Sequence, residues 1–175
     1  MTDAGSASVH ASAVLVGNRA VLIRGASGAG KSRLAFDLIL AGRSGQIPPA
    51  ILVGDDRGHL EASQGQLVVR PSRELAGLIE IRGLGIRRCD FAEEAIVGLV
   101  VDLNARDAER LPPSEVLAAR ISGIEIPRIP VGAGYAALPL AIAALTMTAS
   151  SSSAHPSDDC SKGIGNHISP TLATE

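Results

Sequence analysis

The sequence predicts an α/β protein in which a mixed sheet carries flanking helices. A glycine-rich segment, residues 25–30, stands between an apolar run and a run with helical periodicity. A second apolar run, residues 96–103, is continuous, as in a strand buried on both faces. Hydrophobic residues make up 46% of the 175 residues and charged residues 19%, which is typical of a folded chain with a substantial core.

The other elements follow from short-range patterns. Apolar or alternating runs bounded by glycine, proline or polar residues predict short strands. These strands are expected at 13–17, 20–24, 51–53, 60–62, 67–70, 77–82, 124–127 and 129–131. The last two lie near prolines, which favours edge positions. Helices are expected at 32–41, from Pro112 to Arg120, and over the alanine-rich run 136–147, with Pro139 in its first turn.

Composition also excludes several functions. A net charge of −2 argues against a nucleic-acid binder driven by bulk electrostatics, and 2% aromatic residues leave little material for base-stacking platforms. Residues 129–147 carry no charge, but their prolines, glycines and alanines favour a buried strand and a core helix over a membrane span. Cys89 and Cys160 form no disulfide framework or zinc spacing, and the first residues lack a secretory signal. We therefore expect a cytoplasmic protein with neither a membrane nor a nucleic-acid partner.

The glycine-rich segment fits G-x-x-x-x-G-K-S in full. It consists of Gly25, Ala26, Ser27, Gly28, Ala29, Gly30, Lys31 and Ser32. Glycines let backbone N–H groups surround a phosphate, and the helix that follows adds positive potential. Lys31, one of only two lysines in the chain, supplies a mobile charge, and Ser32 offers a hydroxyl to Mg²⁺. The segment therefore predicts a nucleotide-binding P-loop.

Two acids follow the predicted strand 51–53. Asp55 and Asp56 stand where a return strand would bring them beside the phosphates. Adjacent carboxylates point in different directions, so that one can orient Mg²⁺ while the other handles a proton. His10, which precedes the first strand, favours a surface position when it is considered alone.

The segment 79–86, I-E-I-R-G-L-G-I, alternates apolar and charged residues before two glycines. Its pattern fits an amphipathic strand that enters a turn, and equally a functional loop. The chain has no N/T-K-x-D sequence for guanine recognition, and it is too short for a complete hexameric motor module. These absences point toward a small kinase.

The P-loop, the segment V-G-D-D-R at 53–57 and the segment I-E-I-R-G-L-G-I at 79–86 together resemble HPr kinase/phosphorylase. The third segment is the most specific of the three. The resemblance covers about residues 8–147 and implies a short form that holds only the C-terminal catalytic domain. We therefore expect a catalytic domain at 1–149 and a disordered tail at 150–175, which is rich in serine, proline and glycine.

This resemblance implies a P-loop kinase fold related to phosphoenolpyruvate carboxykinase. It implies ATP- and Mg²⁺-dependent phosphorylation of a serine on an HPr-type phosphocarrier of the phosphotransferase system, with phosphorolysis as the reverse reaction. A homo-oligomer, a hexamer in the family, is also implied.

The resemblance assigns roles by position. Asp55 resembles the acid/base residue and Asp56 its metal-side partner, with Ser32 on the metal as well. His10 matches a histidine near the phosphate site, although the family usually has His-Gly where this chain has His-Ala. The residues that match the loop associated with coupling and the partner protein are Glu80, Arg82 and Gly83.

One segment departs from the family pattern. Gly132 and Tyr135 stand where the family has arginines that would neutralise phosphate, which leaves the phosphorolysis direction open. Arg128 lies upstream as a candidate replacement. Two other functions therefore stay open: a nucleotide-dependent sensor or scaffold without phosphoryl transfer, and a P-loop kinase for an anionic metabolite. The arginines available to such a metabolite site are Arg57, Arg82, Arg87 and Arg88.

Overall fold

The computed structural model describes residues 7–148, which form a large sheet, a separate two-stranded hairpin and two α-helices. The strands are β1 (Ala7–Val9), β2 (Ser12–Val16), β3 (Arg19–Arg24), β4 (Ala50–Gly54), β5 (Gly58–Ser63), β6 (Gln66–Pro71), β7 (Leu78–Ile81), β8 (Gly85–Arg88), β9 (Ala95–Leu103), β10 (Ala118–Ile121) and β11 (Ile124–Val131). The helices are α1 (Lys31–Arg43) and α2 (Ala137–Thr146), and one-turn 3₁₀ helices cover Arg73–Leu75 and Ser114–Leu117. The predicted tail at 150–175 lies outside the described residues.

Strand β9 lies at the centre of the sheet. It runs parallel to β3 on one side; on the other it pairs with β6 near its beginning and with β11 near its end. Val100 and Val101 are both fully buried, because successive side chains enter the cores on opposite faces of the sheet. The prediction of a central strand from the apolar run 96–103 is confirmed.

The order of strands brings several chain segments to one edge. The main path is β1-β5-β6-β9-β3-β2-β4, and β2 is antiparallel to both β3 and β4. Strands β3, β4, β9 and β11 therefore all run in one direction. Their last residues are Arg24, Gly54, Leu103 and Val131. We call this end of the sheet the carboxyl edge; β2 begins there at Ser12, opposite Ile23.

Two hydrophobic cores cover the sheet. Val21 and Ile23 of β3 pack into the core that includes both helices, whereas Ala20 and Leu22 pack into a core built from strands and loops. The predicted mixed sheet is confirmed. The helices flank only one face, however, because the sheet curls and its own outer strands cover the other face.

The predicted helix from Pro112 to Arg120 is wrong. Only Ser114–Leu117 forms a 3₁₀ turn, and the chain then continues as β10. Strand β10 pairs with β11 through the tight turn Ser122-Gly123, whose φ angles are 49° and 80°. β-Branched Ile121 and Ile124 flank this turn, so hairpin pairing prevails over the helix start suggested by the prolines.

Strand β11 is one continuous element where the sequence predicts two. Pro127 and Pro130 both lie inside it. Its first half pairs only with β10 and its second half only with β9, so each half retains an open side on which a missing N–H is tolerated. The predicted helix at 136–147 is confirmed as α2. None of the helices within residues 7–148 is long and apolar enough to cross a membrane.

Candidate active site

The P-loop joins β3 to α1 at the carboxyl edge. Gly28 and Gly30 have φ angles of 80° and 99°, in the left-handed region that favours glycine. A Cβ atom at either position would meet nothing within 4 Å, so open space lies in front of the backbone here. The two glycines thus shape the loop and leave room for a ligand to approach its N–H groups.

Gly25 meets a different requirement at the start of the loop. A Cβ atom there would lie 3.1 Å from the Cβ atoms of Ala29 and Leu103. Since Leu103 ends β9, the loop is packed directly onto the carboxyl edge. The position of the loop is therefore fixed by contact with the central strand.

Lys31 begins α1 and is buried, with 6% of its surface exposed. Its Nζ donates hydrogen bonds to the carbonyl oxygens of Gly25 and Ala26, at 3.0 and 3.1 Å. The ammonium group is thereby held within the curve of the loop. Ser32 follows in the first helical turn, so a cation, a hydroxyl and free helical N–H groups meet at this point, as a phosphate site requires.

Asp55 and Asp56 follow β4 and face different surroundings. Asp55 is buried, and its carboxylate accepts hydrogen bonds from Ser12 Oγ at 2.5 Å and from the Glu80 backbone N–H at 3.1 Å. Asp56 is exposed and has a φ of 67°. The backbone N–H of Arg57 donates a hydrogen bond to the Asp55 carbonyl oxygen at 2.8 Å. This bond closes a tight turn centred on Asp56, which separates the two acids.

His10 lies between β1 and β2, on the exposed side of this pair of acids. Its Nδ1 is 3.2 Å from Oδ1 of Asp56, and both side chains are about half exposed. The structure thus groups His10 with Asp56, and Asp55 with Ser12 and Glu80. Ser12 was not among the predicted site residues; its only signal was a hydroxyl in an apolar strand.

The segment 79–86 forms most of the β7–β8 hairpin. Ile79 anchors it in the core, and the Glu80 backbone connects it to Asp55, while the Glu80 side chain is exposed. Arg82 and Gly83 occupy the turn, where the φ of Gly83 is 89°. The sequence prediction included β7 but not β8.

The outer part of this hairpin is apolar and basic. Leu84 and Ile86 are 61% and 66% exposed, and the arginines at 82, 87 and 88 are exposed beside them. Three of the four arginines considered for an anionic metabolite therefore lie on an open ribbon. This arrangement suits a macromolecular surface better than a closed small-molecule pocket.

An ion-pair network stands at the ends of β3, β9 and β11. Asp102 accepts hydrogen bonds from Arg24 at 2.7 Å and from Arg128 Nε at 2.5 Å. Burial acts to raise the pKa of Asp102, but the two guanidinium groups hold that pKa below its usual value. The sequence signal for this network was a charged residue inside the apolar run 96–103.

Arg128 is fully engaged by this network. Its remaining nitrogens donate to Asp107 at 2.7 and 3.0 Å and to the Val116 carbonyl at 2.9 Å. The hydrogen bonds with Asp107 and Asp102 raise the pKa of Arg128. The guanidinium group is thus bound to internal partners.

Comparison with known proteins identifies the family. Residues 3–157 match the HPr Serine kinase C-terminal domain. The chain belongs to this family.

Curated relatives and a solved structure agree. The chain is 34% identical over 145 residues to HPr kinase/phosphorylase of Mycoplasma mycoides subsp. mycoides and 36% identical over 141 residues to that of Enterococcus faecalis. These matches cover 74% and 73% of this chain but only 44% and 43% of the relatives, so the chain spans less than half their length.

The structure of the Hpr(Ser) kinase/phosphatase from Coxiella burnetii matches with a TM-score of 0.62 at 28% identity, over 79% of this chain and 93% of that one. The mixed α/β fold with a curled sheet and few helices is that of this neighbour.

Proposed function

We propose that the chain is an ATP-dependent serine-protein kinase whose substrate is an HPr-type phosphocarrier of the phosphotransferase system. One observation carries this proposal. The P-loop and a buried acid, Asp55, both stand at the carboxyl edge, and the backbone N–H of Glu80 in the β7–β8 hairpin donates a hydrogen bond to that acid. The names of the relatives support HPr as the substrate. We further propose that residues 1–149 form the catalytic domain and that the fold is related to that of phosphoenolpyruvate carboxykinase.

The P-loop would hold the nucleotide phosphates. Its open N–H groups and Lys31 neutralise phosphate charge, and because Gly25 is packed against β9 the loop needs little reorganisation when it binds.

Ser32 and Asp56 would hold Mg²⁺. Both offer the oxygen ligands that this ion prefers. Mg²⁺ is commonly held by one or two protein oxygens together with phosphates and waters. The bound ion would neutralise charge that develops on the phosphoryl oxygens.

Asp55 would accept the proton of the seryl hydroxyl. Each oxygen of a carboxylate has about two acceptor sites, and each oxygen of Asp55 uses one of them, for Ser12 or for Glu80. One site on each oxygen therefore stays available. The two fixed donors orient the group, so that it meets the hydroxyl in a defined position. His10, paired with Asp56, would orient that exposed carboxylate.

The arginines Arg24 and Arg128 bear on whether the chain favours phosphorylation of HPr or the reverse phosphorolysis. Phosphorolysis needs a cation for inorganic phosphate. Arg128 is bound to Asp102 and Asp107, and Arg24 to Asp102. We therefore propose that phosphorylation of HPr proceeds faster than its reversal in this chain.

The test is transfer of labelled γ-phosphate from ATP with Mg²⁺ to a purified HPr-type protein. Wild-type protein should label a serine, and Lys31→Ala should reduce both ATP binding and labelling by about 10²-fold or more, since a charge-assisted phosphate contact is lost. Arg43→Ala is the matched control, because it removes an exposed cation at the other end of the same helix, about 18 Å away.

The outcomes separate the candidate functions. Labelled HPr in the wild type and in Arg43→Ala, but not in Lys31→Ala, supports the kinase. Binding of ATP without labelling of HPr or release of phosphate would instead identify a nucleotide-dependent sensor. Unchanged ATP binding in Lys31→Ala would overturn every nucleotide-based proposal for this loop.

A further inference from the structure

A cleft of about 380 Å³ opens beside the P-loop, on the side away from Asp55. Ala29 and Gly30 of the loop form one wall, and the first turns of α1, the end of β9 and the segment 131–138 form the others. Its volume lies within the range of about 300–1,000 Å³ that small-molecule sites occupy. The proposed phosphoryl chemistry uses none of the cleft beyond the loop itself.

Tyr135 stands at this cleft with 78% of its surface exposed. It is the single tyrosine of a chain that has no tryptophan and only two phenylalanines. Its N–H donates to the Gly132 carbonyl at 3.2 Å, and a Cβ atom on Gly132 would lie 3.3 Å from the Tyr135 ring. A tight turn and a glycine thus hold the ring where its exposed surface lines the cleft.

The other walls are of two kinds. Leu34, Leu103 and Val131 provide an apolar floor, while Asp37 and Asn104 provide polar groups. An aromatic ring, an apolar floor and a few hydrogen-bonding groups together suit a flat heterocycle that is joined to a hydroxylated sugar.

We propose that this cleft binds the nucleoside of the nucleotide whose phosphates occupy the P-loop, with the base stacked on Tyr135 and the ribose hydroxyls facing Asp37. This inference rests on the proposed function. Ala29 and Gly30 belong both to the loop and to the cleft, so one molecule can reach both sites. The phosphates then extend toward β4 and its acids, and the base extends toward β11.

Tyr135 is an intrinsic fluorescent probe for this test. Since the chain has one tyrosine and no tryptophan, its intrinsic fluorescence reports Tyr135. Addition of ATP with Mg²⁺ should quench this fluorescence, because the base stacks on the ring. Tripolyphosphate, which has no base, should bind the P-loop and leave the fluorescence unchanged.

Variants give a second readout by calorimetry. Tyr135→Ala should weaken ATP binding by about tenfold, at the low end of the range for base–aromatic stacking, because the ring is largely exposed. Its affinity for tripolyphosphate should equal that of the wild type. Tyr135→Phe retains the ring and should bind ATP within about twofold of the wild type.

Each outcome decides a separate point. If Tyr135→Ala binds ATP as tightly as the wild type and ATP leaves the fluorescence unchanged, the nucleoside does not bind in this cleft. Labelling of HPr would in that case still support the proposed kinase activity. A parallel loss of ATP and tripolyphosphate affinity in Tyr135→Ala would also overturn binding of the nucleoside in the cleft, since the ring would then act on the loop. If wild-type protein binds neither ligand, the proposed function fails and this inference fails with it.

Discussion

Replacement of Asp55 by asparagine should abolish most of the kinase activity while the fold persists. A positioned general base contributes typically about 10²–10⁴-fold to a rate, and an amide cannot accept the seryl proton. We therefore expect Asp55→Asn to phosphorylate HPr about 10²–10⁴-fold more slowly than the wild type. Its KM for ATP should change little, because the P-loop is independent of this side chain.

The stability cost can be worked from the two hydrogen bonds that Asp55 accepts. In Asp55→Asn the amide oxygen can accept from Glu80 N–H, and the amide NH₂ can donate to the Ser12 oxygen, so the Ser12 O–H is the one donor of these two that loses its acceptor. The expected cost is about 1–3 kcal/mol, for the weaker hydrogen bonds and this one unpaired donor. Asp55→Ala leaves both donors, the buried Ser12 hydroxyl and the part-buried Glu80 N–H, without an acceptor, so it should destabilise the fold more than Asp55→Asn does.

The assay combines steady-state labelling of HPr with urea unfolding of each variant. Asp56→Asn is the matched control, because it makes the same chemical change one residue away at an exposed position. Its unfolding free energy should stay within about 0.5 kcal/mol of the wild type. Its activity should fall mainly through a higher requirement for Mg²⁺, if Asp56 contacts the ion as proposed.

Two results would refute this assignment. If Asp55→Asn labels HPr at a rate within about tenfold of the wild type, Asp55 is not the base. If, at saturating Mg²⁺, Asp56→Asn loses more activity than Asp55→Asn does, the seryl proton passes to the exposed His10–Asp56 pair instead.

Two further predictions concern the substrate surface and the ion-pair network. Ile86→Ser should raise the KM for HPr several-fold and leave the KM for ATP unchanged, whereas Leu111→Ser, at an exposed leucine outside the hairpin, should change neither KM. If steady-state kinetics show the same effect for both variants, the hairpin is not part of the HPr-binding surface. Asp102→Asn should cost about 2 kcal/mol at pH 7, because charged hydrogen bonds with Arg24 and Arg128 are weakened. Because its pKa is lowered in the folded protein, Asp102 stabilises the fold above its unfolded pKa of about 3.9, and this contribution disappears as the pH falls through the folded value. The wild type should therefore lose stability more steeply than Asp102→Asn in urea unfolding below about pH 4, and parallel curves would contradict the assignment.

The elements that the sequence predicted well are those determined by local pattern. The P-loop needs glycines at fixed offsets before a helix, and the structure has α1 beginning at Lys31 with Gly30 in the left-handed region. Strand β9 needs only a continuous apolar run. The helix predicted from Pro112 to Arg120 is wrong because the prolines suggested a helix start, whereas the structure here is decided by pairing with β11, which a local pattern does not contain.

The contacts that organise the site could not be predicted, because they join distant parts of the chain. Ser12 and Asp55 are 43 residues apart, and Asp55 and Glu80 are 25 apart. The sequence predicted that two adjacent acids face different ways, but not which of them is buried. That difference depends on a left-handed backbone at Asp56, a conformation that non-glycine residues adopt at a cost of about 1–3 kcal/mol.

Strand β2 sets the distance between the P-loop and Asp55. It lies between β3, which leads into the P-loop, and β4, which leads into Asp55, and neighbouring strands are about 4.8 Å apart. The ends of β3 and β4 therefore stand about 10 Å apart across the beginning of β2, and in the proposed reaction the phosphoryl group and the attacking hydroxyl would meet between them. Ala11, just before β2, and Ser12 and Ala13 at its beginning are all buried. The Ser12 hydroxyl donates to Asp55, so one short strand both separates the P-loop from this acid and orients the carboxylate that we propose as the base.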